Sequence, residues 1–347
     1  MLRRVFRGVA NQERTNLTAY AVPQGYAPLR EQLARRLHDR DIAASPDDIL
    51  LTDSATRSID LVCRFFLQPG DTVLIDDPGY FNFQAMLQAQ RVTAIGVPYT
   101  PAGPDLDLFA AACIEHRPKL YLTTGVMHNP TGMNIGIGAA HRLLKLAGEH
   151  DLVIVDDCIA ADLGHRAVPG LAALDRFERV VLVGSFSKTL GGALRCGFIA
   201  TRSDWIDGLT DLALATSFGA SDVAAQAVHR LIVNGSYRRT SMRCVRGLPR
   251  RWRTRRNISG GLASRSGQNP RQACSCGRGY RMVWTPRTLP CVRSNRDWPW
   301  RRAMSSACQG RQAAICASMP PNVPTSASST CWQEQCAPEL TYPRTQP

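Results

Sequence analysis

A chain of 347 residues is long enough for one large domain and a smaller one, and its apolar share of 44% is ordinary for a globular protein. The formal charge of +14 points toward nucleic acid until it is located: residues 1–240 carry 24 Lys and Arg against 25 Asp and Glu, whereas residues 241–347 carry 18 Arg, no Lys and three acids. Basic charge confined to one stretch without a recognisable fold supports only salt-sensitive, non-specific binding, so specific nucleic-acid recognition is not expected.

Other features break at the same place. Eight of the 12 cysteines and five of the six tryptophans lie beyond residue 240, and all seven histidines lie before it. Segments such as RGLPRRWRTRRNISGG show neither helical nor strand periodicity. The expectation is a basic, Cys- and Arg-rich tail over 241–347, disordered or arising from a frame shift, behind a folded domain over 20–240. The cysteines lack metal-ligand spacing, and no metal is expected. No apolar run is long enough to span a membrane, and the start MLRRVFRGV lacks the apolar core of a signal peptide. A cytoplasmic protein without membrane partners is expected.

In chain order, residues 29–38 place apolar side chains at 29, 33 and 37, one face of a helix. A β-branched apolar run follows at 49–52, then Asp53-Ser54-Ala55-Thr56 opening a helix over 59–67. Small hydroxyl residues at a helix start can leave backbone N–H groups free for an anion, though a plain N-cap is the commoner use. The run 72–75 ends at Asp77-Pro78-Gly79-Tyr80; another run spans 92–97; the run 120–123 leads to His128-Asn129-Pro130-Thr131-Gly132. Either loop alone reads as a turn. After a helical stretch at 139–150, the run 152–155 ends in Asp156 and Asp157, carboxylates placed where a cationic ring nitrogen could be met. The run 180–183 leads to Gly184-Ser185-Phe186-Ser187-Lys188-Thr189-Leu190, with Arg195 before a last run at 196–200.

Strands alternating with helices argue for an α/β domain with a mostly parallel sheet of roughly seven strands between helices. In such sheets ligands sit beyond the carboxyl ends of the strands, so the loops after each strand are the place for chemistry. Lys188 stands out there. The chain uses Arg almost everywhere and has three lysines, Lys119, Lys145 and Lys188. A desolvated lysine can bind a carbonyl covalently, and an arginine cannot under ordinary conditions.

The set of loops, in this order and each after a strand, resembles the fold-type-I enzymes that use pyridoxal 5′-phosphate (PLP). These include the class I/II aminotransferases, and the likeness extends to the aminotransferase-like domains of MocR/GntR-type transcription regulators. The segment Tyr20-Ala-Val-Pro-Gln-Gly-Tyr-Ala-Pro-Leu-Arg30, the Asn129 loop and Ser185-Phe-Ser-Lys-Thr-Leu carry the likeness most directly. It covers roughly residues 15–240.

The resemblance implies an aspartate-aminotransferase-like large domain and a set of roles. Lys188 would hold PLP covalently and shuttle the substrate's α-proton. Asp156 would pair with the pyridine N–H, Asn129 would bond the phenolic oxygen, and Tyr80 would stack on the ring. Ser185, Arg195 and the backbone at Ala55 and Thr56 would hold the phosphate. Tyr20 would reach the phosphate of a second subunit, which implies a homodimer acting on an amino acid or amine.

The departures are as specific. Ser54 replaces a frequent glycine, so backbone approach to the phosphate is expected to be tighter. Cys158 and Ile159 stand where the family carries a tyrosine. Residues 1–19 read as a truncated remnant, and no small-domain motif supplying a substrate-binding arginine is recognisable after residue 240. An aminotransferase impaired in turnover is expected; the alternative is the effector-binding domain of a MocR-type regulator without its winged-helix domain. Limited proteolysis tests the tail: resistance should end near residue 240, and a resistant fragment extending well past residue 260 would refute the boundary.

Overall fold

The computed structural model describes residues 2–10, 20–164 and 169–247. All of the expected tail beyond residue 247 lies outside these, as do residues 11–19. Ten helices are found among the described residues: α1 (Leu2–Ala10), α2 (Ala27–His38), α3 (Ala55–Phe66), α4 (Phe81–Ala89), α5 (Leu106–His116), α6 (Ile137–Glu149), α7 (Leu171–Asp175), α8 (Ser203–Ser217), α9 (Asp222–Val233) and α10 (Ser236–Gly247). They surround strands β1 (Ile49–Thr52), β2 (Thr72–Asp77), β3 (Thr93–Thr100), β4 (Gly103–Pro104), β5 (Leu120–Thr123), β6 (Val153–Asp157), β7 (Val180–Ser185) and β8 (Gly197–Ala200).

The strands form one sheet in the order β1-β8-β7-β6-β5-β2-β3-β4. The run from β7 through β6, β5 and β2 to β3 is parallel, while β8 lies antiparallel to both β7 and β1. The expectation of roughly seven strands misses β4, whose two residues are too short to show any alternation; they pair antiparallel with Tyr99 and Thr100 at the sheet edge.

Both faces of the sheet are covered, which is why its strands read as unbroken apolar runs. Successive side chains point to opposite faces. Leu74, Tyr121, Ile154 and Leu182 enter one core with Leu33 of α2, Phe109 of α5, Leu143 of α6 and Val228 of α9. Val73, Ile75, Leu122, Val155 and Val183 enter the other, with Ile59 of α3, Leu87 of α4 and Leu209 of α8. Every one of these side chains is less than 9% exposed, so each contributes about 1.5–3 kcal/mol of hydrophobic stabilisation.

The two ends of the described chain also pack. Val9 of α1 is fully buried in the first core. Helix α10 runs seven residues beyond Thr240, with Tyr237 buried in that core and Ser241 Oγ donating to the Asp162 carbonyl at 2.9 Å. The sequence hides α10 because six of its 12 residues are arginine or serine, which leaves no continuous apolar stripe to read.

Gly197 sets how closely β8 approaches α3. A Cβ there would lie 2.7 Å from the Ser54 carbonyl carbon and 2.9 Å from the Ala55 nitrogen, both backbone atoms. Gly197→Ala should therefore destabilise the domain by about 1–3 kcal/mol in a urea denaturation series. A change below about 0.5 kcal/mol would show that β8 and α3 have room to separate.

Candidate active site

The carboxyl edge of the parallel strands gathers most of the residues expected from the sequence. At the start of α3, Ser54 is the N-cap with φ −176°, an extended backbone open to any residue, so the serine in place of glycine causes no strain. Its Oγ accepts from the Arg57 N–H at 3.1 Å. The N–H groups of Ala55 and Thr56, in the first turn, have no intrahelical acceptor. Arg195 donates from Nη2 to the same Ser54 Oγ at 2.9 Å. A guanidinium and two free helix-start amides thus converge, the composition of an anion cradle.

Beside it runs the lysine loop. Ser185 ends β7, and its Oγ donates to the Cys196 carbonyl at 3.2 Å and accepts from the Ser187 N–H at 3.2 Å. The Leu190 N–H returns to the Phe186 carbonyl at 2.8 Å, closing a tight turn anchored by the buried Phe186 ring. Lys188 rides that turn with its side chain exposed.

Strand alternation separates the two carboxylates of β6. Asp156 follows the parity of Ile154 and Asp157 that of Val155, so they leave the strand toward opposite faces. Asp157 lines a cleft with Ala55, Thr56, Ile59, Tyr80 and Phe83. Asp156 is 0% exposed; its Oδ1 accepts from the Gly125 N–H at 2.9 Å, and its Oδ2 is buried with no hydrogen-bond partner. Burial raises the Asp156 carboxyl pKa, with the Gly125 N–H and then the weakly donating Cys158 thiol opposing the rise. A buried acceptor without a strong donor is costly, and a ring N–H supplied by a ligand would satisfy it.

Tyr80 stands at the entry to α4, edge-on to Phe81 and Phe83 at 5.1 and 5.3 Å. Burial, and then the charge of Asp157, raise its phenol pKa, so the ring is presented neutral. The Asp77–Pro78 bond before it and the Asn129–Pro130 bond are both cis. Asn129 is half-buried in its loop. Tyr20 is apart from the rest: it is 84% exposed and stacks on Phe218 at 5.4 Å. Cys158, in the place of the family's tyrosine, is buried with its thiol pKa raised well above the ordinary value by desolvation, hence neutral and at most a weak donor. Asp157 is the cleft residue that the sequence reading left without a role. The pattern of two adjacent aspartates shows the pair, but only the sheet shows which one faces α3.

A protein-family model, aminotransferase class I and II, matches residues 3–255. The chain belongs to the class I and II aminotransferase family. A 2-aminoadipate transaminase of Thermus thermophilus is 30% identical over 221 residues, 62% of this chain and 54% of that protein. An uncharacterized HTH-type transcriptional regulator, YdfD of Bacillus subtilis, is 28% identical over 220 residues, 63% of this chain and 46% of the regulator. The chain therefore spans about half the length of these curated relatives.

Among solved structures, the α-aminoadipate aminotransferase LysN of Thermus thermophilus, complexed with N-(5′-phosphopyridoxyl)-L-leucine, superposes with a TM-score of 0.65 at 27% identity, covering 71% of this chain and 63% of that one. The aspartate aminotransferase of Thermus thermophilus with maleate gives a TM-score of 0.63 at 22% identity, covering 74% and 66%. The architecture is the aspartate-aminotransferase-like α/β fold. Among the described residues no helix is long and apolar enough to cross a membrane, and no three His, Cys, Asp or Glu side chains cluster to hold a metal ion.

Asp157 yields a pH-dependent expectation. Burial, and to a lesser degree the Asp156 charge, lift its pKa from 3.8 to about 7, against the Ile159 N–H and Lys188. A carboxyl whose pKa is higher folded than unfolded stabilises the fold fully below the unfolded value and loses that contribution as pH rises through the folded one. Asp157→Asn should raise the thermal midpoint of the protein without added ligand by roughly 5 °C at pH 8, the gain vanishing as pH falls towards 4. An equal shift at both pH values would show that the carboxyl is not held protonated.

Proposed function

We propose that this chain binds PLP along the carboxyl edge of its sheet, with Lys188 as the covalent anchor, and serves amino-group transfer between an amino acid and a 2-oxo acid. The observation that carries the reading is the pairing of two complementary ends at that edge. One end is the Arg195, Ser54 and α3 helix-start cradle, suited to a phosphate; the other is the unpartnered buried oxygen of Asp156, suited to a protonated ring nitrogen. When bound, PLP supplies an electron sink for the bond broken at the substrate's α-carbon.

The protein's own groups then divide the work. Arg195, Ser185 and the N–H groups of Ala55 and Thr56 hold the phosphate. Asp156 keeps its charge by pairing with the ring nitrogen, which relieves the desolvation cost of its burial. Tyr80 covers one ring face, and Asn129 donates to the phenolic oxygen. Lys188, exposed on its turn, takes and returns the α-proton. Tyr20, projecting from the surface, reaches the phosphate of a second copy in a homodimer. Residues 20–240 form the cofactor-binding domain in this reading. The similarity to an HTH-type regulator supports a second reading, in which the same site senses an amino acid or amine effector instead of turning it over.

Borohydride reduction of the PLP-treated protein followed by peptide mass mapping tests the site. The pyridoxyl group should sit on Lys188 and be absent in Lys188→Ala, while Arg195→Ala should weaken PLP binding by roughly 30-fold or more. Labelling at Lys119 or Lys145 would overturn the assignment. Single-turnover formation of pyridoxamine phosphate across common amino donors separates the two readings: the transferase reading requires it, and the sensor reading requires effector binding without it.

A further inference from the structure

His128 sits at the base of the Asn129 loop and uses every polar group it has. Its N–H donates to the Met133 carbonyl at 2.8 Å, and its carbonyl accepts from the Gly132 N–H at 2.6 Å. Its ring Nδ1 is 2.8 Å from Thr131 Oγ1. These three bonds close the loop from 128 to 133 on itself. The fourth group, ring Nε2, leaves the loop and meets Asp76 Oδ2 at the end of β2, 3.1 Å away.

Asp76 is itself held from several sides. It accepts from the Tyr121 hydroxyl, from Thr123 Oγ1 at 2.9 Å and from the Thr124 N–H at 3.4 Å. Because Asp76 takes donors on both oxygens, His128 must present N–H at Nε2, while Nδ1 pairs with the Thr131 hydroxyl. The Tyr99 ring of β3 backs the imidazole face to face, with centroids 3.6 Å apart and planes 8° from parallel. His128 is 1% exposed and Asp76 3%. Charge-assisted bonds at that depth are geometrically exacting, because a displaced donor or acceptor there finds no water.

An ordinary core histidine needs one partner for each ring nitrogen. This one also ties the base of the loop to the sheet, and the residue next to it is the asparagine assigned to the cofactor's phenolic oxygen. We propose that His128 is a positioning residue, which, clamped between Asp76 and Tyr99, fixes the Asn129 side chain at the cofactor. The inference rests on the PLP reading above. Nothing in it requires His128 to touch the cofactor.

The test is a double-mutant cycle on PLP affinity in the full chain, read by absorbance titration, with His128→Ala, Asn129→Ala and the double variant. Each single change should weaken PLP binding by roughly tenfold, and the double variant should bind no more weakly than Asn129→Ala alone. Without PLP, amide hydrogen exchange across 124–135 should accelerate in His128→Ala and stay unchanged in Asn129→Ala. His128→Gln, which retains a donor for Asp76 but neither the Thr131 bond nor the stack, should fall between wild type and His128→Ala, and it serves as the probe if the alanine variant fails to fold. Multiplicative losses in the double variant, roughly hundredfold, would overturn the inference while leaving the cofactor site intact. So would unchanged PLP affinity in His128→Ala. Failure of the wild-type chain to bind PLP would instead remove the cofactor reading, and His128's role with it.

Discussion

The site depends on how closely β8 can press against the start of α3. Strand β8 enters the sheet antiparallel, between β7 and β1; it begins at Gly197, and Arg195 lies just before it. Only a residue without a Cβ lets its backbone reach the Ser54–Ala55 peptide. That approach delivers the Arg195 guanidinium to the Ser54 hydroxyl and so to the free end of the helix. A helix N-terminus alone is a weak anion site, and a lone surface arginine is another. Placed together, they reinforce each other, because both favour negative charge at the same point.

The second organising constraint is the cost of burying carboxyl groups. Three aspartates, Asp76, Asp156 and Asp157, are almost wholly buried within one edge of the sheet. They meet that cost in different ways. Asp76 gathers four donors and becomes a fixed strut. Asp157 shifts towards the neutral form, with its pKa raised to about 7. Asp156 has one backbone donor and one open oxygen. An acceptor left open in an otherwise satisfied core is where a ligand's donor gains most, since binding replaces an unmet desolvation penalty rather than a bond to water.

Much of this was legible in the sequence. Unbroken β-branched runs separated by helical stretches disclosed the doubly covered sheet, with seven of its eight strands near their observed positions. A lysine between hydroxyl residues, in a chain that otherwise prefers arginine, marked Lys188. The loops around Tyr80, Asn129 and Asp156 marked themselves by following strands, because in a parallel sheet the polypeptide leaves every strand at the same edge. Of the helices, α2, α3 and α6 were read from the sequence and the others were not; in α8, α9 and α10 the apolar faces are diluted by small and polar residues.

Sequence by itself determined which residues come to that edge, because local periodicity and turn chemistry act over a few residues. It could not determine which of them meet. Arg195 and Ser54 are 141 positions apart, and His128 and Asp76 are 52 apart; these contacts exist because the sheet order sets β8 beside β1 and β5 beside β2. The same holds for the two aspartates of β6. Adjacent residues of one type are indistinguishable in a string of letters, and the pleat of the strand turns one towards α3 and the other away, so that one titrates in a cleft and the other waits with an oxygen unpaired.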